Sequence, residues 1–248
     1  MKSYKLLCAV LLLILTLTAC GEKKAHDVPP VSTTVPVTTR PKESSKVLDC
    51  VGFGREQMFR YTDKNKNEVS VVYRIPKLRF DTPDAQAINE EITQRYTPLY
   101  NKAGQTAAEK RMPEPISIDY SAFVNDDIVT LLIKSEEQGH NMDYDVYNYN
   151  KKTGKRLDNA GLLRYLQRDY EDTFASLKTA LEADYLSKFK EENFPDDYYV
   201  RLENTTGDEA IKKSSLFLNG QAELYAACTE YAGVGDGEFQ VLISLASK

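Results

Sequence analysis

From residue 47 onward, apolar side chains recur at two different periods, and the switches between them mark out elements. Residues 57–61 and 69–79 alternate with period two and read as strands, joined by the polar turn Asp63-Lys64-Asn65-Lys66-Asn67. Thr82 followed by Pro83 is a helix start, and Ala85, Ile88, Ile92, Tyr96 and Leu99 then step at helical spacing. This predicts a helix over 83–103 that Pro98 bends or splits. Ile116, Ile118, Tyr120, Ala122 and Val124 share one face of a strand, and Asn125-Asp126-Asp127 turns the chain into another at 128–134. Residues 144–149 form a further strand, ended by the glycine-containing turn Lys151-Lys152-Thr153-Gly154-Lys155. Tyr170, Phe174, Leu177, Leu181, Tyr185 and Phe189 make one apolar stripe on a second long helix, 169–193. Strands at 222–230 and 239–245 close the chain around Gly233-Val234-Gly235-Asp236-Gly237. Runs of strands with segregated helices predict an α+β fold of mainly antiparallel sheets with two principal helices packed on them. The folded part divides into an N-terminal strand-helix-strand half, 47–135, and a C-terminal α+β half, 136–248.

The first 46 residues follow a different pattern. Two lysines precede an apolar run of 12 residues, 6–17. At about 1.5 Å per residue this run is too short for a hydrocarbon core roughly 30 Å thick, but it fits a secretory signal. Leu17-Thr18-Ala19-Cys20-Gly21 resembles the lipobox of bacterial lipoprotein signal peptides. That resemblance implies cleavage after residue 19, acylation of Cys20 and a mature protein held by lipid on the extracytoplasmic face of a cell membrane or outer membrane. From Cys20 to 46 the chain has four Pro, four Thr and three Ser and no Leu, Ile or aromatic residue, and reads as a solvated tether.

Composition narrows the function classes. The chain has 248 residues and a net charge of −5, and from Val47 on it carries 25 basic and 34 acidic side chains, a balance of −9. Nucleic-acid binding needs the opposite sign. With two histidines in all, His26 in the tether and His140 in the folded part, imidazole catalysis and histidine-rich metal sites are disfavoured. The turn at 63–67 begins like a calcium loop, but Glu68 stands where that loop needs glycine and Arg74 where it needs a bidentate carboxylate. Asp143 and Asp145 share a strand face and are too few to argue a metal site. Gly233, Gly235 and Gly237 open no helix and so form no phosphate cradle. No cofactor and no metal are expected.

Cys50 and Cys228 lie near the two ends of the folded part, and in an oxidising exterior a disulfide between them is expected, against the alternative of two buried thiols. Tyrosine is abundant and tryptophan absent. Tyr147 and Tyr149 share one strand face, and Tyr225 and Tyr231 bracket the final turn. Such side chains serve either as sheet packing or as a platform for a sugar or a protein.

Three segments together resemble a paired bacterial extracytoplasmic module, found in lysozyme-sensing anti-sigma factor ectodomains and as an accessory region of peptidoglycan deacetylases. The first runs from Arg74-Ile75-Pro76-Lys77-Leu78 to Ile88-Asn89-Glu90-Glu91-Ile92. The second comprises Gly139-His140, Tyr147-Asn148-Tyr149 and Thr153-Gly154-Lys155, and the third runs from Leu216-Phe217-Leu218 to Tyr231-Ala232-Gly233. The family's proline-containing approach to the last turn is replaced here by Ala227-Cys228-Thr229-Glu230. The resemblance implies a binding module without catalytic activity, engaging a lysozyme-type protein through a surface around Gly139, His140, Tyr147, Tyr149, Tyr225 and Tyr231. Two further readings stand beside it: peptidoglycan strands held by tyrosines, and a wall-glycan hydrolase built on two carboxylates.

Overall fold

The computed structural model describes residues 45–248 except 64, 138–140, 194–196, 232–236 and 246–248. The signal peptide, Cys20 and all but the last two residues of the tether lie outside the described residues, as do Gly139 and His140. Residues Ser45 and Lys46 belong to a short helix, α1 (Ser45–Cys50).

A larger sheet follows from β1 (Val51–Thr62), β2 (Glu68–Leu78), β3 (Ser117–Asn125), β4 (Ile128–Glu136), β5 (Met142–Asn150) and β6 (Lys155–Leu157), in that spatial order. Every neighbouring pair is antiparallel except β2 and β3, which run parallel. Parallel neighbours need a crossover, and α2 (Pro83–Ala108) supplies it. The Thr82 side chain accepts a hydrogen bond from the Ala85 N–H, and Pro83 occupies the first turn, where no amide donor is missed. Pro98 does not divide this helix. The carbonyl it leaves without a helical donor belongs to the exposed Gln94, where water can serve instead. Between β1 and β2, Asp63 Oδ1 accepts from the backbone of Asn65 at 2.8 Å and Asn67 at 2.7 Å, an Asx arrangement that supports the turn.

Along α2, Ala85, Ile88, Ile92, Tyr96 and Ala103 are buried against one face of the larger sheet, onto which Tyr73, Ile75, Ile118, Leu131, Ile133, Tyr147 and Tyr149 project. The opposite face of β3–β5 meets a second sheet, made of β7 (Ser215–Leu218), β8 (Leu224–Tyr231) and β9 (Glu238–Ser244) in sequence order. Contacts between the sheets are partly polar. Thr130 Oγ1 donates to Asn148 Oδ1 at 2.8 Å, and Asn148 Nδ2 donates to the Leu216 carbonyl at 2.7 Å, so these buried groups are paired. Phe123 stacks on Phe217 beside them.

The outer face of the second sheet is covered by α3 (Asn159–Tyr165), α4 (Tyr170–Lys188), α5 (Tyr198–Thr206) and α6 (Asp208–Lys213). Asp158 and Asp169 cap α3 and α4. Phe174, Leu177 and Leu181 of α4 pack with Leu216, Leu224, Ala226, Cys228 and Ile243. The α+β expectation is therefore met, with two mostly antiparallel sheets between helical layers. The expected helix 169–193 is shorter: Phe189 leaves the helix with extended backbone, and a separate 3-10 turn occupies Glu191–Asn193. The expected division at 135/136 falls at the turn of a hairpin paired from Ile128 with Asn150 to Glu136 with Met142. Strand β4 serves both cores, Val129, Leu131 and Ile133 lying in one and Ile128 in the other.

Candidate partner-binding surface

Tyr147 and Tyr149 share a face, as alternation requires, but it is the face that α2 covers. They are 3% and 1% exposed and belong to the core, so they present no platform to a ligand. Tyr149 instead meets the Thr82 hydroxyl at 2.9 Å and packs on Phe80. Tyr225 lies in the other sheet, half-buried against Phe217 at 5.8 Å between ring centres. Tyr231 is half-buried near the end of β8, where it lines an open recess of about 440 Å³ with Lys178, Glu203 and Asp208. The four tyrosines thus divide between two sheets and do not converge.

Cys50 and Cys228 do not meet either. Both are free and buried, Cys50 in the core beneath α2 and Cys228 in the core beneath α4. First and last strands often adjoin in a single sheet, but here they belong to different sheets, and this corrects the expected disulfide. Burial pushes the Cys228 thiol up to about 12.

What the fold does bring together is a charged cluster where α2 crosses β5. Asp145 takes an ion pair from Arg95 Nε at 2.6 Å and a hydrogen bond from the Tyr96 hydroxyl. Desolvation, and then the neighbouring Asp145, raise the Tyr96 phenol far above its ordinary value, so it remains a donor. Next along the same face, the Arg156 guanidinium sits 5.4 Å over the Tyr147 ring and 2.6 Å from Glu91. Asp84 accepts from the Arg156 backbone N–H at 2.9 Å, which ties β6 to the first turn of α2.

Toward the other end of β5 the balance turns negative. Burial raises the Asp143 carboxyl, and Asp145 and Glu238 raise it further against the pull of Arg95. Burial likewise raises Glu137, helped by Asp143 and Glu114 and opposed by Lys102. In both groups burial is the largest cause, and the neighbouring carboxylates add to it. The two lie by the end of β4 and the start of β5. Among the described residues no set of three His, Cys, Asp or Glu side chains is arranged to hold a metal ion. The sequence pairs Asp143 with Asp145 by alternation; it does not reveal that Arg95 and Tyr96 of a distant helix meet them. The signal was an arginine beside a core tyrosine in an apolar stripe.

No protein-family profile matches the chain, and no curated protein matches it. Among solved structures, the chain is similar to a member of the DUF3298 family from Bacteroides fragilis. The TM-score is 0.37 and the identity 12%, over 79% of this chain and 89% of that one. No helix among the described residues is long and apolar enough to cross a membrane.

Proposed function

We propose that this protein is a lipid-anchored, extracytoplasmic binding module that captures a basic protein of the cell envelope, of lysozyme type, and performs no chemistry on it. The lipobox-like segment ending at Cys20 and the tether behind it support the anchor. The observation that carries the partner's chemistry is the pair of carboxyl groups Glu137 and Asp143 at the β4–β5 end, raised by burial and by neighbouring carboxylates. Such a group attracts a cationic surface and speeds encounter, in keeping with the −9 balance of the folded part. The glycan reading loses its main support with the burial of Tyr147 and Tyr149. The hydrolase reading needs two carboxyls free to act across a cleft, and in the recess beside Tyr231 the Asp208 carboxylate is paired with Lys178 at 2.8 Å.

Calorimetry of the full chain with lysozyme at low and high ionic strength tests the partner. Binding that weakens steeply with salt, and at least tenfold on Glu137→Gln with Asp143→Asn, is expected. No heat at low ionic strength rejects a lysozyme-type partner. Mass spectrometry of the mature chain tests the anchor, and an unmodified Cys20 rejects it.

A further inference from the structure

Among the described residues, strand β1 is the outermost strand of the larger sheet and pairs on one side only, with β2. Residues 53–58 are exposed without a break, and Met58 is 55% exposed. An open edge this long is a template for another strand unless bulges, prolines or inward charges blunt it. The one irregularity, a bulge at Gly54, lies near the start and leaves 55–62 regularly paired with β2.

Alternation divides the regular part of β1 between two faces. Phe59 and Tyr61 are buried beneath α2, and Gln57 Oε1 accepts from the Tyr100 hydroxyl on that side. Glu56, Met58 and Arg60 point to the opposite face. Across that face runs a row of alternating charge: Asp119 lies 3.4 Å from Arg74, and Arg74 lies 2.8 Å from Glu56. The row reaches the edge on a carboxylate whose second oxygen can still accept.

We propose that β1 pairs antiparallel with β1 of a second copy of this chain, centred on Met58, so that two six-stranded sheets join across a two-fold axis. Antiparallel pairing about a two-fold keeps the faces, so only registers that place like-facing residues opposite each other are allowed. In the register centred on Met58, Glu56 faces Arg60 of the second copy, and the pair occurs twice by symmetry. The charge row then continues from Asp119 through Arg74 and Glu56 to a guanidinium across the interface. Moving the centre to Gln57 puts Glu56 opposite Met58, and moving it to Phe59 puts Glu56 opposite Thr62; neither makes the pair. The two exposed Met58 side chains meet on the axis, where a flexible thioether fills the space between them. Pairing over this length buries less than about 1,200 Å², which corresponds to a weak, concentration-dependent dimer. This inference is independent of the identity of the envelope partner.

Sedimentation equilibrium of the full chain tests it. A monomer–dimer equilibrium is expected, weakened at least tenfold by Met58→Lys, which sets two ammonium groups against each other at a position exposed enough to leave the fold intact by circular dichroism. Under mild oxidation Met58→Cys cross-links to itself above the background that the natural cysteines give in the unsubstituted chain. Arg60→Cys does so only when mixed with Glu56→Cys, because each faces the other. A monomer at every concentration, a dimer indifferent to Met58→Lys, or self-linking of Arg60→Cys as strong as that of Met58→Cys overturns the proposal. The last two outcomes would place the contact elsewhere or in another register.

Discussion

Lys188, in the last turn of α4, reaches the carboxylate of Glu230 on β8 at 2.9 Å, and Glu230 is wholly buried while Lys188 is partly exposed. The Lys188 ammonium also pairs with Asp184, one helical turn earlier. Glu230 Oε1 has no hydrogen-bond partner among the described residues. A buried carboxylate with one oxygen unserved is costly in its charged form. Burial, with Asp184 adding to it and Lys188 opposing, accordingly raises the Glu230 carboxyl to about 7 from 4.5.

Since the folded-state value lies above the unfolded one, protonation favours the fold. The contribution of Glu230 is fully present below about pH 4.5 and is lost as the pH rises through about 7. Urea unfolding of Glu230→Gln, which keeps the shape without the charge, is expected to show a flatter dependence on pH. A gain on the order of 1–2 kcal/mol over the parent is expected above neutral pH. Lys188→Met moves the other way, with a loss larger at high pH than at low.

The two folded-part cysteines are expected to resist alkylation in the native protein and to be alkylated after denaturation without any reductant, as peptide mass spectrometry can show. A cross-linked peptide joining Cys50 and Cys228 would contradict their placement in separate cores. Adding reductant should leave the unfolding midpoint where it was.

Truncating Tyr147 to Ala removes a ring held between α2 and the larger sheet and is expected to cost about 3–5 kcal/mol in chemical denaturation. The same change at the half-buried Tyr225 is expected to cost less. Were both nearly neutral for stability while binding fell, the platform reading of these tyrosines would return.

Two glycines are held by different constraints. A Cβ on Gly207, between α5 and α6, would lie 2.6 Å from the Glu203 carbonyl oxygen, which is backbone and cannot swing aside. Gly207→Ala is expected to cost about 1–3 kcal/mol through forced displacement. Among the described residues nothing lies within 4 Å of a Cβ on Gly237, but its φ is 68°, so Gly237→Ala is expected to cost about 1 kcal/mol through backbone strain. Thermal unfolding of the two variants separates the cases.

Elements with a strong period were legible in advance. The apolar positions Ala85, Ile88, Ile92 and Tyr96 are buried as their spacing predicts, and so are Phe174, Leu177, Leu181 and Tyr185. Short elements were not: α3, α5, α6 and β6 are three to nine residues long, too few for a period to rise above chance. Pro98 misled for a different reason, since its local cost depends on whether the orphaned carbonyl faces water, and that is settled by neighbours. The carboxylate group at the β4–β5 end was visible only as scattered acids, because Glu114, Glu137 and Glu238 come from three separate stretches of chain.

By itself, the order of residues determined the fold class, the helix start at Thr82, and the two faces of β5. Each follows from interactions between near neighbours along the backbone. Tertiary structure alone decided which face of β5 would be covered, that Cys50 and Cys228 would lie in different cores, and that Glu230 would lose its water to a lysine 42 residues earlier. Those outcomes depend on how separately formed surfaces stack, and stacking is governed by shape and desolvation between segments whose spacing along the chain carries no trace of it.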